Sequence, residues 1–502
     1  MLDSPAPSLA ADPKSATPDG ATRPLAAHRR SLAYRLCKFC SPAVAADLTL
    51  VLTATTIAGT AVLTHWAYYP LVLETPAMPA DYALIGLAVA AVYFLTARFV
   101  LHLDFEKLEQ GLDSGSQSVK ALLIAATLFL VAVFLTKTTA VHSRGWFVTW
   151  LLTASLALML LHVGAARLFE KAVRLADSPY RRRVAVFGTH ELVASFAGHL
   201  SHRGNFRTSL IHSATVLPDI ADAPFKTAID QFVAYCRQNP VTEVVVALPG
   251  ADEERVLQAV STFASLPVDV RLAPDQAGFA LARHQLLGGA ALPLVTVSTR
   301  PIRDWGKLVK EAFDRIGAAL LLAFLAPLFL VVAAAIKLDS KGPVFFKQQR
   351  NGFNHRTFEM WKFRSMVADA ESPTGPFRQA TKGDPRITRV GAFIRKTSID
   401  ELPQLINVLK GEMSLVGPRP HPIALDDQYM SLIDQYATRH AVLPGITGWA
   451  QVNGYRGETD SPEKMAGRIA HDLNYIRNWS FSLDFWILCL TVIRGFVHKN
   501  AY

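Results

Sequence analysis

The chain has 502 residues, of which 51% are hydrophobic and 18% are charged, and its formal net charge is +10. This length predicts two or three domains, and a mean hydropathy of +0.23 excludes both an ordinary soluble protein and a chain made only of membrane spans. The basic balance suits anionic lipid or a phosphorylated substrate; no nucleic-acid motif is visible, so no nucleic-acid partner is expected. The four cysteines favour neither a disulfide framework nor a zinc site.

The first third of the chain contains four apolar runs behind a polar tail. Residues 1–45 are rich in proline, alanine and serine, and they are expected to form a disordered basic tail. Each apolar run is close to the ~20 residues that cross a bilayer. Lysine and arginine precede the first run and follow the fourth, which predicts a four-helix transmembrane bundle over 46–170 with both ends in the cytoplasm. Alternatively, the second or third run is interfacial. The runs occupy residues 48–68, 82–101, 121–141 and 146–166.

Residues 180–298 alternate between strand and helix patterns. The segment Arg183-Val184-Ala185-Val186-Phe187-Gly188 is typical of a buried strand that ends in a turn, and residues 243–248 form a second valine-rich strand. Helical patterns at 232–238 and 252–263 separate the strands, which predicts a doubly wound parallel α/β sheet. No second glycine follows Gly188, so the dinucleotide-binding fingerprint is missing. A structural or regulatory module is favoured over a cofactor site, and its ligand stays open.

A long apolar run at residues 316–336 bears on the membrane topology. It is long enough to span a bilayer, yet Pro327 lies in its middle, where proline removes a backbone hydrogen bond and kinks a helix. Basic residues flank both ends, so the positive-inside rule does not favour a crossing. We therefore predict a re-entrant membrane helix over 313–337 that is kinked at Pro327. The alternative is a fifth transmembrane span.

Two adjacent acids, Asp400 and Glu401, precede the apolar helix pattern of residues 405–409. Proline is tolerated in the first turn of a helix, so Pro403 fits a helix whose N-cap is Asp400. An acid at that position lies at the positive end of the helix dipole and is expected to be ionised at pH 7, as a nucleophile must be. The alternative is that Asp400 is an ordinary N-cap with no catalytic role.

Several other polar residues have simpler interpretations. The segment 482–499 is either an interfacial amphipathic helix or a buried core helix. Histidines without metal-ligand spacing are expected at the surface or in structural roles, and three further acids are expected to be solvated. Two acids near the C-terminal end are expected to pair with arginines in the last helices. These residues are His421, His440 and His471; Asp384, Asp426 and Asp427; and Asp472 and Asp484.

Basic and glycine-rich segments surround the two acids. They are Trp361-Lys362-Phe363-Arg364-Ser365-Met366, Arg395-Lys396, Gly417-Pro418-Arg419-Pro420 and residues 443–454. With these segments, the chain from about Lys307 onward resembles the bacterial sugar transferases, also called monotopic phosphoglycosyl transferases. The whole chain resembles the long subclass of that family. The resemblance implies an α/β membrane protein with a four-helix transmembrane bundle, a Rossmann-like middle domain and a re-entrant-helix α/β catalytic domain at 305–502.

The resemblance also implies roles for five residues. Asp400 matches the nucleophile, which attacks the β-phosphate of a UDP-sugar and carries a covalent phosphosugar in a ping-pong reaction. Glu401 matches the acid that holds Mg²⁺. Lys362, Arg395 and Arg419 match residues that bind substrate phosphates.

Two further residues match the family less completely. Arg364 lies two residues after Lys362 on a probable strand, so its side chain is expected on the same face and beside the substrate phosphates; a solvated or lipid-headgroup role fits it as well. Before Pro327 the family usually has serine, but this chain has Ala326. A serine hydroxyl therefore cannot satisfy freed carbonyls, and the predicted kink depends on Pro327 alone.

The implied reaction is transfer of glucose-1-phosphate from UDP-glucose to undecaprenyl phosphate at the cytoplasmic face of the bacterial inner membrane. It would begin lipid-linked glycan assembly for exopolysaccharide or capsule. UDP-galactose is the alternative donor, and a non-catalytic membrane scaffold is the alternative function. A nucleotide-sugar oxidoreductase is disfavoured by the missing glycine fingerprint. The sequence leaves a homo-oligomer open.

Overall fold

The structure is a computed structural model. It describes residues 41–73, 79–100, 111–136, 143–173, 178, 180–202, 208–218, 220–274, 294–367, 384–430, 432–433, 435–455 and 462–495. The predicted tail at 1–45 therefore lies almost wholly outside the described residues. The prediction of a mixed α/β chain with apolar helices is confirmed.

Four long apolar helices form the first unit. Its core contains Trp146 and Trp150, whose rings stack 5.2 Å apart, and the indole N–H of Trp150 donates to the Ile57 carbonyl oxygen at 3.2 Å. Their outer faces expose many leucines and valines, as a lipid-facing surface does. Among the described residues, these four helices and one further helix are long and apolar enough to cross a membrane. The four are α1 (Pro42–Tyr68), α2 (Pro79–Leu95), α3 (Leu112–Leu135) and α4 (Arg144–Val173).

The middle unit is a five-stranded sheet with strand order β2-β1-β3-β4-β5. The first four strands are parallel, and β5 pairs antiparallel with β4 at the edge. Helix α5 packs on one face, while α6 and α7 pack on the other. The elements are β1 (Arg182–Thr189), α5 (His190–His202), β2 (Thr208–Val216), α6 (Asp222–Gln238), β3 (Glu243–Ala247), α7 (Glu253–Phe263), β4 (Asp269–Leu272) and β5 (Val295–Ser298).

Gly188 has a packing role in this sheet. It lies inside β1 rather than in a turn after the strand. A Cβ atom at this position would lie 1.8 Å from the carbonyl oxygen of Ala247 on the neighbouring strand. Glycine is therefore needed for the close approach of the two strands.

The fifth apolar helix, α8 (Asp304–Asp339), has 36 residues and is about 54 Å long. It continues through Pro327, so the predicted interruption is not seen, and the re-entrant topology stays a prediction. A single missing N–H leaves the other hydrogen bonds of a helix in place. Before Pro327, the fully buried Ala318 packs in the core of the C-terminal domain; after it, Val332 and Ile336 pack with Phe363 of the same domain. Both halves of α8 therefore lie on one domain.

The C-terminal domain surrounds α8 with short strands and helices. Strands β6 and β7 form an antiparallel hairpin, and β8 and β9 form a parallel pair. Helix α14 buries Ile487 and Asp484 but exposes Phe485, Trp486 and Val492, so it has a packed face and an exposed apolar face. The elements are β6 (Phe345–Asn351), β7 (Thr357–Phe363), α9 (Arg389–Lys396), α10 (Gln404–Lys410), β8 (Ser414–Val416), α11 (Ile423–Met430), β9 (Gly445–Thr447), α12 (Trp449–Val452), α13 (Pro462–Arg477) and α14 (Phe481–Gly495).

Candidate active site

The two adjacent acids lie on a single 3₁₀ turn, Ile399–Glu401, between α9 and α10. Ser398 starts this turn in the left-handed conformation, with φ of 58°, which is unfavourable for a residue with a side chain. Helix α10 begins only at Gln404, and its N-cap position is taken by Pro403. The prediction that Asp400 is the N-cap is therefore wrong, because a separate 3₁₀ turn precedes the helix. The turn instead directs Asp400 into the protein, where it is 8% exposed.

Glu401 is held by two cations. Lys362 Nζ, on β7, lies 3.1 Å from Oε1, and the Arg419 guanidinium donates to both carboxylate oxygens, with Nη1 2.9 Å from Oε2. Burial alone would raise the pKa of Glu401, but the charges and hydrogen bonds of Arg419 and Lys362 outweigh it. The pKa of Glu401 is therefore held well below its ordinary value. This carboxylate stays ionised at any pH near neutrality.

Asp400 has the opposite environment. Among the residues that the structure describes, no hydrogen bond or ion pair engages its carboxylate. Burial, and then the neighbouring charge of Glu401, raise its pKa to about 6 against the opposing charges of Lys362, Arg395 and Arg419. The helix dipole was expected to keep this acid ionised, but no α-helix begins at Asp400. At pH 7, a pKa of 6 still leaves about 90% of the group ionised. The turn thus presents one paired carboxylate and one unpaired carboxylate.

The segment 417–421, named here the arginine loop, carries Arg419 to the acids. Strands β8 and β9 hold its start, because the Gly417 N–H donates to the Thr447 carbonyl oxygen and the Gly445 N–H donates to that of Pro418, each at 2.9 Å. A Cβ atom on Gly445 would lie 2.0 Å from the Gly417 nitrogen. Glycine at this position therefore lets the glycine-rich segment 443–454 support the arginine loop.

The structure brings four of the predicted residues to Asp400 and leaves Arg364 elsewhere. Lys362, Arg395 and Arg419 act on the acids, with Arg395 in the last turn of α9. Arg364 is 5% exposed and donates to the Ser340 carbonyl oxygen at 2.7 Å, so it caps the end of α8. Burial excludes the solvated role for Arg364.

The candidate ligand for Mg²⁺ in this site is Glu401. Among the described residues, no group of three or more histidine, cysteine or acidic side chains could hold a metal. Magnesium, however, needs only one or two carboxylates when substrate phosphates supply further oxygens. Oε1 of Glu401 accepts from both Lys362 and Arg419, whereas Oε2 accepts one hydrogen bond, from Arg419, and keeps lone-pair capacity for an ion. The donor set therefore fits an ion shared between Glu401 and a bound diphosphate.

An apolar cavity of about 260 Å³ adjoins Glu401. Glu401 and Ser398 line it together with leucines of α8, residues of α14 and residues from the segments between these two helices. The cavity therefore joins the charged site to the two helices that expose apolar faces. Its remaining lining is Leu321, Leu325, Leu402, Leu405, Leu415, Ile446, Thr447, Gln451, Val452, Leu488 and Thr491.

Sequence reasoning missed a buried polar network behind the arginine loop. Asp426, expected to be solvated, is 0% exposed, and His421 and His440 are 3% and 5% exposed. Asp472 pairs with Arg439, which lies before the last helices where its partner was expected, and Asp484 pairs with Lys310 of α8 rather than with an arginine. No signal in the sequence links these residues, because their contacts cross up to 174 positions.

Two known protein families match this chain, each over a different segment. Residues 305–498 match the bacterial sugar transferase family, and residues 112–274 match a family described as a CoA-binding domain. The chain is 38% identical, over 75% of its length and 78% of the relative, to a UDP-glucose:undecaprenyl-phosphate glucose-1-phosphate transferase from Xanthomonas campestris. It therefore belongs to the bacterial sugar transferases, and the predicted transferase family is confirmed.

Two further relatives set the scope of this assignment. A protein of the same name from Escherichia coli is 44% identical over 55% of this chain, and the match spans 59% of that relative. A UDP-N-acetylgalactosamine-undecaprenyl-phosphate N-acetylgalactosaminephosphotransferase from Aeromonas hydrophila is 46% identical over 37% of this chain and 43% of that relative. The relatives thus share the lipid acceptor in their names but differ in the sugar.

Proposed function

We propose that the protein transfers glucose-1-phosphate from UDP-glucose to undecaprenyl phosphate. The observation that carries the proposal is the pair of acids: Asp400 is buried and unpaired among the described residues, while Glu401 is held by Lys362 and Arg419. Two carboxylates with opposite environments can take two different roles. The names of the relatives supply the substrates, and the arrangement of the acids supports a covalent route.

In the first step, an Asp400 carboxylate oxygen attacks the β-phosphorus of UDP-glucose. The bond from that phosphorus to the bridging oxygen breaks, UMP leaves with the oxygen, and the phosphosugar is held as an acyl phosphate. Arg395 and Arg419 provide guanidinium groups for the transferred phosphate, which suit phosphate oxygens better than a lysine does. Mg²⁺ held by Glu401 and the diphosphate would neutralise charge on the leaving group.

In the second step, a phosphate oxygen of the lipid attacks the same phosphorus, and Asp400 leaves as a free carboxylate. The product is a lipid diphosphate sugar, and the enzyme is regenerated. The apolar cavity beside Glu401 supports this acceptor, since Leu321 and Leu325 of α8 and Leu488 of α14 line it. A chain of isoprene units can lie there with its phosphate towards Glu401.

We place the reaction at the cytoplasmic face of the bacterial inner membrane, where it begins glycan assembly for exopolysaccharide or capsule. Helix α8 supports a membrane-dipping arrangement, because residues on both sides of Pro327 pack on the same domain while Phe324 and Leu330 are exposed. A straight crossing would carry one half of α8 away from that domain. The α1–α4 helices are proposed to form the transmembrane anchor.

The test is UMP release from UDP-glucose with undecaprenyl phosphate and Mg²⁺ in detergent or nanodiscs. Wild type is expected to be active, Asp400→Asn to lose at least about 1,000-fold, as expected when a covalent nucleophile is removed, and the exposed Asp427→Asn to match wild type. Without lipid, wild type should release about one UMP per enzyme, which is the burst expected of a two-step reaction. Equal turnover by wild type and Asp400→Asn would refute the nucleophile.

The sugar is tested separately. UDP-galactose and UDP-N-acetylgalactosamine are compared with UDP-glucose as donors. UDP-N-acetylgalactosamine is included because the name of the Aeromonas relative contains it. We expect the highest kcat/KM with UDP-glucose. A higher value with another donor would change the sugar and keep the reaction. No turnover with any donor, by folded protein, would favour the membrane scaffold.

A further inference from the structure

The arginine loop packs on a buried polar network whose side chains do not contact Asp400 or Glu401. The network joins residues from three elements: the 3₁₀ helix Tyr436–Ala441, α11 and α13. At its centre is Arg439, which is only 3% exposed. Burying a guanidinium is costly unless its charge is compensated and its N–H groups are bonded, so its partners show what it holds in place.

Arg439 contacts the arginine loop at two points. Its Nη2 donates to the main-chain carbonyl oxygen of Arg419 at 2.6 Å. Its Nη1 lies against Nδ1 of His421, two residues further along the loop. One contact is to the backbone of the residue that clamps Glu401, and the other is two residues further along the loop.

The same two guanidinium nitrogens are also paired with acids. Nη2 donates to Oδ2 of Asp472 on α13 at 3.1 Å, and Nη1 lies 3.7 Å from Oδ1 of Asp426 on α11. Tyr436 donates to the same Asp426 oxygen at 2.7 Å, and Asn351 donates to its other oxygen at 3.0 Å. Arg439 is therefore held by two carboxylates in addition to its contacts with the loop.

His421 must be neutral in this arrangement, because both of its ring nitrogens face guanidinium groups. Arg439 lies at Nδ1, and Nη1 of Arg468 lies 3.2 Å from Nε2. A neutral imidazole has one acceptor nitrogen, so the loop offers these arginines two acceptors: the Arg419 carbonyl oxygen and one ring nitrogen of His421. A lysine at position 439 has one point charge and cannot reach the two parts of the loop and the acids together.

We propose that Arg439 is a positioning residue that fixes the arginine loop so that Arg419 meets Glu401 and the transferred phosphate. Its influence on transfer rests on the proposed function, whereas its hold on the loop does not. It does not contact substrate; it acts through the backbone of Arg419. A displacement of about 1 Å at a reacting site can cost about 100-fold in rate, so loss of this hold is expected to be visible.

The first experiment measures the loop directly. Hydrogen exchange of the full-length protein in nanodiscs is followed by mass spectrometry at a peptide that contains residues 417–421. In Arg439→Lys, exchange in this peptide is expected to rise at least about tenfold, as for a locally opened segment. The control is Arg255→Lys in the middle unit, where arginine also donates to backbone carbonyls, at Pro218 and Ile220. This control should leave the loop peptide unchanged.

The second experiment is a double-mutant cycle on UMP release with Arg439→Lys, Arg419→Lys and both together. If Arg439 acts through Arg419, the double variant is expected to lose no more than about twofold beyond Arg419→Lys. The loss in Arg439→Lys should appear in kcat. Independent, multiplying losses would overturn the proposal, as would an unchanged loop peptide.

If Arg439→Lys does not fold, Asp472→Asn weakens one anchor while keeping the guanidinium, and a smaller rise in loop exchange is expected. No rise in this variant overturns the proposal. If wild type releases no UMP from UDP-glucose, the proposed function fails on its own, because loop exchange still reports whether Arg439 holds the arginine loop. The two failures are therefore distinguishable.

Discussion

Removal of the positive charge at Arg419 should move the pH dependence of the reaction. In the structure the pKa of Asp400 is raised to about 6, by burial and Glu401, and Arg419 is one of three cations that oppose the rise. Since attack needs the ionised carboxylate, kcat/KM in wild type should fall as the pH falls through about 6. Loss of a nearby opposite charge raises a carboxyl pKa by about 1–3 units. The Arg419→Gln profile should therefore fall at pH 7 or above.

The magnitude has two parts. For a shift of one unit, ionisation of Asp400 at pH 6 drops from about 50% to about 10%, which is about fivefold. The lost charge-assisted contact with phosphate is worth about 1.5–3 kcal/mol, or roughly 10- to 150-fold, at every pH. Arg419→Lys keeps the positive charge but loses the paired N–H donors of the guanidinium. Its kcat/KM should therefore be lower at every pH, while the pH at which kcat/KM falls should not shift.

The assay is kcat/KM for UMP release between pH 5 and 9 at saturating Mg²⁺ for wild type, Arg419→Gln and Arg419→Lys. Unfolding temperatures of the three proteins control for misfolding, because Glu401 loses a partner in both variants. The reasoning is refuted if the Arg419→Gln profile still falls at about 6. A shift of equal size in Arg419→Lys would also contradict it, since that variant keeps its charge.

Three further predictions concern stability and the support of the site. Burial holds the pKa of His440 well below its ordinary value, so the free energy of unfolding should be constant above pH 6.5 and fall by about 1.4 kcal/mol per pH unit below it. In His440→Asn the unfolding temperature should decline less steeply as the pH falls. An unchanged slope would contradict the assignment. Asp484→Asn removes the carboxylate that lies 2.6 Å from the buried ammonium of Lys310, and it should lower the free energy of unfolding by about 3 kcal/mol in denaturant. Adding Lys310→Met should recover part of this free energy. No recovery would refute the charge argument. Gly445→Ala places a Cβ atom 2.0 Å from a backbone nitrogen of the arginine loop and should reduce transfer, unlike Gly164→Ala, whose Cβ meets nothing within 4 Å; equal activity of the two would show that the loop adapts freely.

The sequence by itself predicted the features that depend on local pattern and composition. The apolar helices are identified by runs of about 20 apolar residues, and the α/β middle unit by its alternating strand and helix periods of 2.0 and 3.6 residues. The sugar transferase domain is identified by its dense short motifs. The adjacent acids and the basic residues Lys362, Arg395 and Arg419 were found in the same way, because their residue types suit phosphate chemistry. These signals are readable without knowledge of any long-range contact.

The tertiary structure decided what those residues meet. Asp400 was expected at a helix N-cap, where the helix dipole would keep it ionised. The fold instead places it on a 3₁₀ turn, where burial and the charge of Glu401 raise its pKa to about 6. Arg364 has the same residue type as Arg419 but caps α8, because β7 ends beside that helix. The side-chain charge is a property of the residue, whereas its pKa and partners are properties of the surroundings. The Arg439 network spans α11, α13 and the arginine loop, and only folding brings those segments together.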